Sequence, residues 1–219
     1  MNIIDLTVTL DKDASIFPDP KYLPPELTFL YTPDTDYMKT RYSGHIKMHL
    51  HSGSHMDTPK HFGFDSCLDD VKLETLCGEC IIVKLPVQES GPITLEAVKA
   101  RIPEGTETKG KRLLIMCGYN NMNWGKEDYF QDTAYVSPEV ADWIVEKGFV
   151  AVALDMLTDG VPDLHVHRTL LGNGIYIVEC LTNYYAVPDD LKNATLIVAP
   201  IPFRGMEASP VRAFLICDQ

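Results

Sequence analysis

All seven histidines of this sequence fall in two short windows: His45, His49, His51, His55 and His61 in the first, His165 and His167 in the second. The densest stretch runs His51-Ser52-Gly53-Ser54-His55-Met56-Asp57-Thr58-Pro59-Lys60-His61 and carries four metal-binding side chains in eleven positions. Neutral imidazole nitrogen and carboxylate oxygen are standard ligands for zinc and manganese. Successive spacings of four, two and four let these groups converge on a helix or in a tight turn. Gly53 and Pro59 favour a turn at the end of the preceding strand, because Gly permits close backbone approach and Pro stiffens the exit. The bland reading, a polar loop with hydrogen-bonded histidines, suits one histidine better than a cluster.

Glu179 adds a second signal. It interrupts the apolar run Ile175-Tyr176-Ile177-Val178-Glu179-Cys180-Leu181, which reads as a buried strand. A carboxylate buried without a partner is costly or becomes neutral. A metal ion is one partner, and Arg168, Arg204 or Arg212 is the alternative. Two histidine clusters elsewhere in the chain favour the metal. A divalent cation at such a centre lowers the pKa of its water and polarises a carbonyl, and nearby dipoles stabilise the oxyanion. An amide nitrogen leaves only with a proton, and His61 is suited to supply it, its side-chain type titrating near about 6.5. His61 stands where a ligand could also stand. His165 could exchange roles with His167, while His45 and His49 read as supporting or solvated residues. Asp155, after the apolar run Phe149–Leu154, is either functional or a turn residue.

The elements that would hold these groups are mostly strands. Ile4–Leu10 alternates, and from Arg41 to His51 a period of two sets Ile46, Met48 and Leu50 against His45, Lys47, His49 and His51. Further strands are expected at Cys80–Leu85, Arg112–Cys117, Phe149–Asp155, Ile175–Leu181, Thr195–Pro200 and Val211–Cys217. Several are nearly continuous apolar runs, which implies cover on both faces. Helices are expected at Thr94–Arg101 and at Ser137–Lys147, where Ser137 can cap, Pro138 fits the first helical position and Gly148 the end. Many strands and few helices predict an α/β fold built around a sheet or barrel-like core. One domain over 1–219 is expected, with a Pro-rich arm at about 18–36.

The charge balance, 19 Lys plus Arg against 31 Asp plus Glu, gives a net −12. A surface this acidic repels phosphate backbones and anionic lipid, so neither nucleic acid nor membrane is an expected partner. The first residues lack a basic region and a long apolar core, so no signal peptide is expected and the cytoplasm is the default location. Cys77-Gly78-Glu79-Cys80 has no second CxxC and leads into an apolar run, which favours packing cysteines over a redox or zinc site.

The segment His51–His61 resembles the HxGTHxDxPxH signature of the cyclase family, which includes bacterial kynurenine formamidases and isatin hydrolases. Ser54 replaces the usual Thr and keeps the hydroxyl. Asp5-Leu6-Thr7 and Ile16-Phe17-Pro18-Asp19-Pro20 are similar to the family's opening strand and proline turn. Gly118 to Trp124 resembles its Thr-Gly-Trp region with Cys117 for Thr. His167 and Glu179 match its late His and Glu ligands. The resemblance implies a swivelling β/β/α fold, a barrel-like sheet flanked by a few helices, and one or two divalent metal ions per chain, zinc first and manganese second. His51, His55 and Asp57 would hold the first ion, His167 the second, with Asp57 and Glu179 bridging. His61 would transfer protons and Phe17 would touch the substrate. It implies a homodimer or homotetramer that opens a small-molecule amide or cyclic amide. Two competing readings are a metal-dependent dehydratase or cyclase using the same ligands, and a non-catalytic metal-binding protein with a closed coordination sphere.

Overall fold

The computed structural model describes residues 1–33, 41–160 and 164–217. Its strands are β1 (Asn2–Asp5), β2 (Glu26–Thr32), β3 (Arg41–Lys47), β4 (His55–Asp57), β5 (Cys77–Lys84), β6 (Gly91–Ile93), β7 (Arg112–Met116), β8 (Ala134–Val136), β9 (Ala151–Leu154), β10 (Tyr176–Glu179), β11 (Asn193–Pro200) and β12 (Ala208–Cys217). The α-helices are α1 (Leu73–Leu76), α2 (Leu95–Lys99), α3 (Tyr119–Asn123), α4 (Pro138–Glu146) and α5 (His165–Gly172).

The order β12-β11-β5-β7-β9-β10-β4 closes on itself, because β4 pairs back onto β12. The run β5-β7-β9-β10 is parallel and the remaining pairs are antiparallel. β1 joins the same long strand β12 outside the ring.

Period-two alternation divides the apolar residues into two cores. Met56, Ile82, Leu114, Ala153, Val178, Leu196 and Leu215 belong to one cluster, to which every strand of the ring contributes. That cluster fills the barrel interior. Their neighbours Ile81, Leu113, Val152 and Ile177 point outward and pack with Val140 and Ile144 of α4 and Val166 and Leu170 of α5. The continuous apolar runs in the sequence are therefore strands buried on both faces, and the expected barrel-like α/β fold is observed. Among the described residues no helix is long and apolar enough to cross a membrane.

Several boundaries differ from expectation. The opening strand stops at Asp5, and only an isolated bridge, Thr7 to Leu181, continues it. β3 ends at Lys47, so His49 and His51 lie beyond it. Its alternation marks no core face, because β3 pairs with β2 in a hairpin whose β3 residues are exposed throughout. Within the expected Pro-rich arm, residues 26–32 form β2, and residues 34–36 lie outside the described residues. Ser137 makes no capping hydrogen bond with its side chain, although α4 starts with Pro138 as expected. Thr94 does cap α2, accepting the Ala97 N–H at 3.3 Å. Cys80 is buried in the interior cluster, and burial pushes its thiol up to about 12, which suits a packing residue.

Candidate metal centre

The histidine motif changes direction twice. Residues 50–54 turn, His55–Asp57 form β4, and Pro59–Phe62 form a 3₁₀ turn. Gly53 sits at φ +68°, and a Cβ there would lie 2.5 Å from Leu10 Cδ2, so the turn needs a residue without a side chain. The Ser54 hydroxyl accepts the Val8 N–H at 3.0 Å and donates to the Cys180 carbonyl at 2.8 Å. It thereby ties the N-terminal segment to the end of β10. This is the hydroxyl that the Thr-to-Ser exchange preserves.

Alternation then sorts the motif. Met56 enters the barrel interior, so His55 and Asp57 face outward. Antiparallel pairing sets Glu179 directly opposite His55, and Ile177 opposite Asp57. α5 brings His167 over the same face, where its ring stacks on Phe62 at 5.3 Å. Two distant stretches of chain thus meet around Asp57, which is fully buried.

Asp57 is the hub. His51 Nδ1 is 2.9 Å and His55 Nε2 3.6 Å from its Oδ1, and His167 Nε2 is 3.5 Å from its Oδ2. Glu179 has His55 Nε2 at 3.4 Å from Oε2 and His167 Nε2 at 3.9 Å from Oε1. The His61 ring lies 4.4 Å from that of His51 and 5.9 Å from that of His167. Among the described residues, Glu179 meets these imidazoles and the Thr158 N–H at 2.8 Å, and no arginine. Arg212 pairs instead with Asp5 at 2.6 Å.

The donor set fits a divalent metal, and the polar bookkeeping of the site favours one. His55 Nε2 and both Asp57 carboxylate oxygens are buried and make no well-directed hydrogen bond, the 2.9 Å approach of His51 to Asp57 included. Such orphaned groups are costly and rare. The opposite ring nitrogens are engaged: His55 Nδ1 contacts the Gly53 carbonyl at 2.7 Å, and His167 Nδ1 contacts Asp159 Oδ2 at 2.5 Å. These bonds fix the ring orientations and leave each Nε2 facing the site, as in metal-ligating histidines. The donors fall into two groups, His51–Asp57–His61 and His55–Asp57–Glu179, sharing Asp57. This grouping differs from the one the resemblance implied, in which His51 and His55 share an ion. It also leaves open the ligand role for His61.

Charge follows the same logic. Burial opposes ionisation of Asp57, yet His51 and His55 hold it well below the usual carboxylate range. Burial likewise opposes ionisation of Glu179, and its contacts with His55 and His167 hold it at about 2. Against the effect of burial, the acids raise His55 well above the imidazole range, and Asp159 and Asp57 raise His167 to about 10. Protons on these rings balance the carboxylates, and a bound cation would take their place. His61 is different: burial lowers it to about 4, so it is neutral at pH 7.

Sequence reasoning missed two carboxylates. Asp159 accepts the Val166 and His167 N–H groups at 2.8 and 3.1 Å, capping α5 while it orients His167. Glu207 Oε1 lies 3.6 Å from His51 Nε2, and the contact with His51 holds it at about 2. His165, the alternative to His167, opens α5 and lies 4.0 Å from Asp142 of α4, outside the donor groups. His45 lies on the exposed hairpin, while the His49 ring packs tilted against Tyr22, centroids 4.0 Å apart. Asp155 accepts the Cys117 and Gly118 N–H groups at 2.7 and 2.8 Å, a turn-forming role.

The donor residues line a cavity of about 710 Å³. Phe17, Trp124, Phe130 and Leu157 supply an apolar wall, with Phe17 edge-on to Phe130 at 5.3 Å. Three other aromatic residues lie outside this wall: Tyr42 is on the exposed hairpin, Tyr119 is buried in the outer core, and Phe64 is absent from the lining.

The chain is similar to known proteins over most of its length. A kynurenine formamidase of Polaromonas naphthalenivorans is 26% identical over 223 residues, covering 98% of this chain and 91% of the relative. One from Geobacillus thermodenitrificans is 29% identical over 185 residues, 78% of each chain. The structure of isatin hydrolase A from Labrenzia aggregata, bound to benzyl benzoate, superposes with a TM-score of 0.83 at 21% identity, covering 100% of this chain and 94% of that one. Residues 4–159 match the Cyclase family model, and the chain belongs to that family.

Proposed function

We propose that this chain is a metal-dependent amidohydrolase acting on carbon–nitrogen bonds other than peptide bonds, and that it opens a small aryl amide or cyclic amide. The observation that carries this reading is the set of buried donor atoms on His55 and Asp57 that make no well-directed hydrogen bond and face a cavity with an aromatic wall. The relatives named kynurenine formamidase and the fold shared with an isatin hydrolase support the bond type.

His51, His55, Asp57, His167 and Glu179 would hold one or two divalent ions, zinc or manganese. Such an ion would supply an acidified water and a polarised carbonyl. The protein side of the reaction is positional and protonic. The aromatic wall, Phe17 included, holds the substrate body and excludes water. Neutral His61 accepts a proton from the attacking water and returns it to the amide nitrogen as the carbon–nitrogen bond breaks. Asp159 and Glu207 keep His167 and His51 in the orientation the donors need.

The test is hydrolysis of formyl-aryl amines and isatin-like cyclic amides by zinc- or manganese-loaded protein. His61→Ala is expected to keep its metal and lose turnover by about 10²–10⁴-fold. Loss of metal from that variant would make His61 a ligand.

We further propose that the working unit is a homodimer. The β2–β3 hairpin leaves Phe29 85% and Tyr42 81% exposed, and a two-stranded ribbon of this kind is marginal in water alone. Light scattering should give twice the chain mass; a monomer at micromolar concentration would contradict it.

A further inference from the structure

The cavity contains one cationic group that the chemistry above does not use. Arg168 follows His167 on α5 and is the one lysine or arginine among the described residues lining the cavity. Its guanidinium carbon lies 5.1 Å from the centre of the Phe62 ring, the ring that stacks on His167. The Phe62 ring thus touches both the guanidinium and His167 of the donor cluster. Among the described residues the charged head has this ring contact and no acidic partner, although Asp57, Asp159 and Glu179 crowd the cavity floor. A guanidinium matches a carboxylate with two parallel hydrogen bonds and keeps its charge at any working pH.

The carboxylates of the donor cluster are balanced by the imidazoles or by a cation, whereas Arg168 adds a separate, fixed positive charge to the cavity lining. We propose that Arg168 is a specificity residue that binds a carboxylate carried by the substrate. The preferred substrates are then aryl amides bearing an acid group. Their amide lies at the Asp57 centre, their ring against the Phe17 and Phe130 wall, and their carboxylate on Arg168. This rests on the amide-hydrolysis reading. The competing role for Arg168 is structural, as a stem and head covering Phe62.

The test compares formanilide with 3-formamidobenzoate, which differ by the carboxylate, using metal-loaded wild type, Arg168→Met and Arg168→Lys. Wild type should favour the acid by about ten-fold in kcat/KM, expressed mainly in KM. Arg168→Met should remove that preference, and Arg168→Lys should keep part of it. A preference of equal size in wild type and Arg168→Met, or an equal fall for both substrates, overturns the proposal. Calorimetric binding of 3-acetamidobenzoate and acetanilide separates the two readings. If neither amide turns over but Arg168→Met selectively loses affinity for the acid, the amide reading falls and the Arg168 subsite stands. If Arg168→Met binds both compounds as wild type does, the subsite falls.

Discussion

β4 and β10 each present two faces that are buried to a similar degree and behave in opposite ways. Inward, Met56 and Val178 are fully buried among apolar neighbours, and burial itself stabilises them. Outward, one residue along, His55, Asp57 and Glu179 are nearly as buried, yet His55 Nε2 and both Asp57 oxygens make no well-directed hydrogen bond. Burial there costs free energy until a cation or protons compensate. A period of two thus lets the same six or so residues serve the fold on one side and the chemistry on the other, with little trade between them.

Substitutions on the two faces test that separation. Asp57→Asn, which keeps shape and removes the charge shared by both donor groups, should lose metal and lower turnover by more than about 10³-fold, since residues that merely support a ligand already matter about 10–100-fold. Elemental analysis and assay measure this, and circular dichroism should still show a folded chain. Unfolding would mean the two faces are not separable. Met56→Ala should do the reverse, costing about 2–4 kcal/mol in urea denaturation while the folded protein keeps its metal. Asp159→Asn retains a helix-capping side chain but loses the charge beside His167. It should weaken metal binding by about 10–100-fold, read by competition with a chelator, with little change in stability.

How much of this was legible in the sequence depended on whether the signal was local. The cluster at His51–His61 was visible because side-chain type and spacing lie within one turn and one short strand. Glu179 stood out as a charge inside an apolar run. The strands buried on both faces were visible as continuous hydrophobic stretches, and Pro138 and Gly148 marked α4. Ring closure was not legible, because it needs His55–Asp57 to pair with residues 208–210 about 150 positions away, and a three-residue strand carries too little pattern. The alternation in Arg41–Lys47 was real, but alternation alone cannot distinguish a core face from a solvated hairpin. Asp159 carried a weak signal, a capping-type residue eight positions before His167; the Pro and Gly around it read equally well as a loop. Glu207 had none, since its role comes from lying next to Ala208, which pairs with Asp57.

The central claim is that imidazoles and carboxylates on the outer barrel face share a divalent cation. Calorimetric titration of metal-free protein with zinc or manganese, in buffers of different ionisation enthalpy, tests it most directly. His55 and His167 are both raised above their usual range by the acids, so at pH 7 the metal-free protein holds protons that a cation must displace. The account predicts one or two ions bound per chain with proton release, and an affinity that rises with pH by about ten-fold per unit for each proton displaced. Absence of binding, or binding at the same affinity from pH 6 to 8 with no proton released, would contradict it.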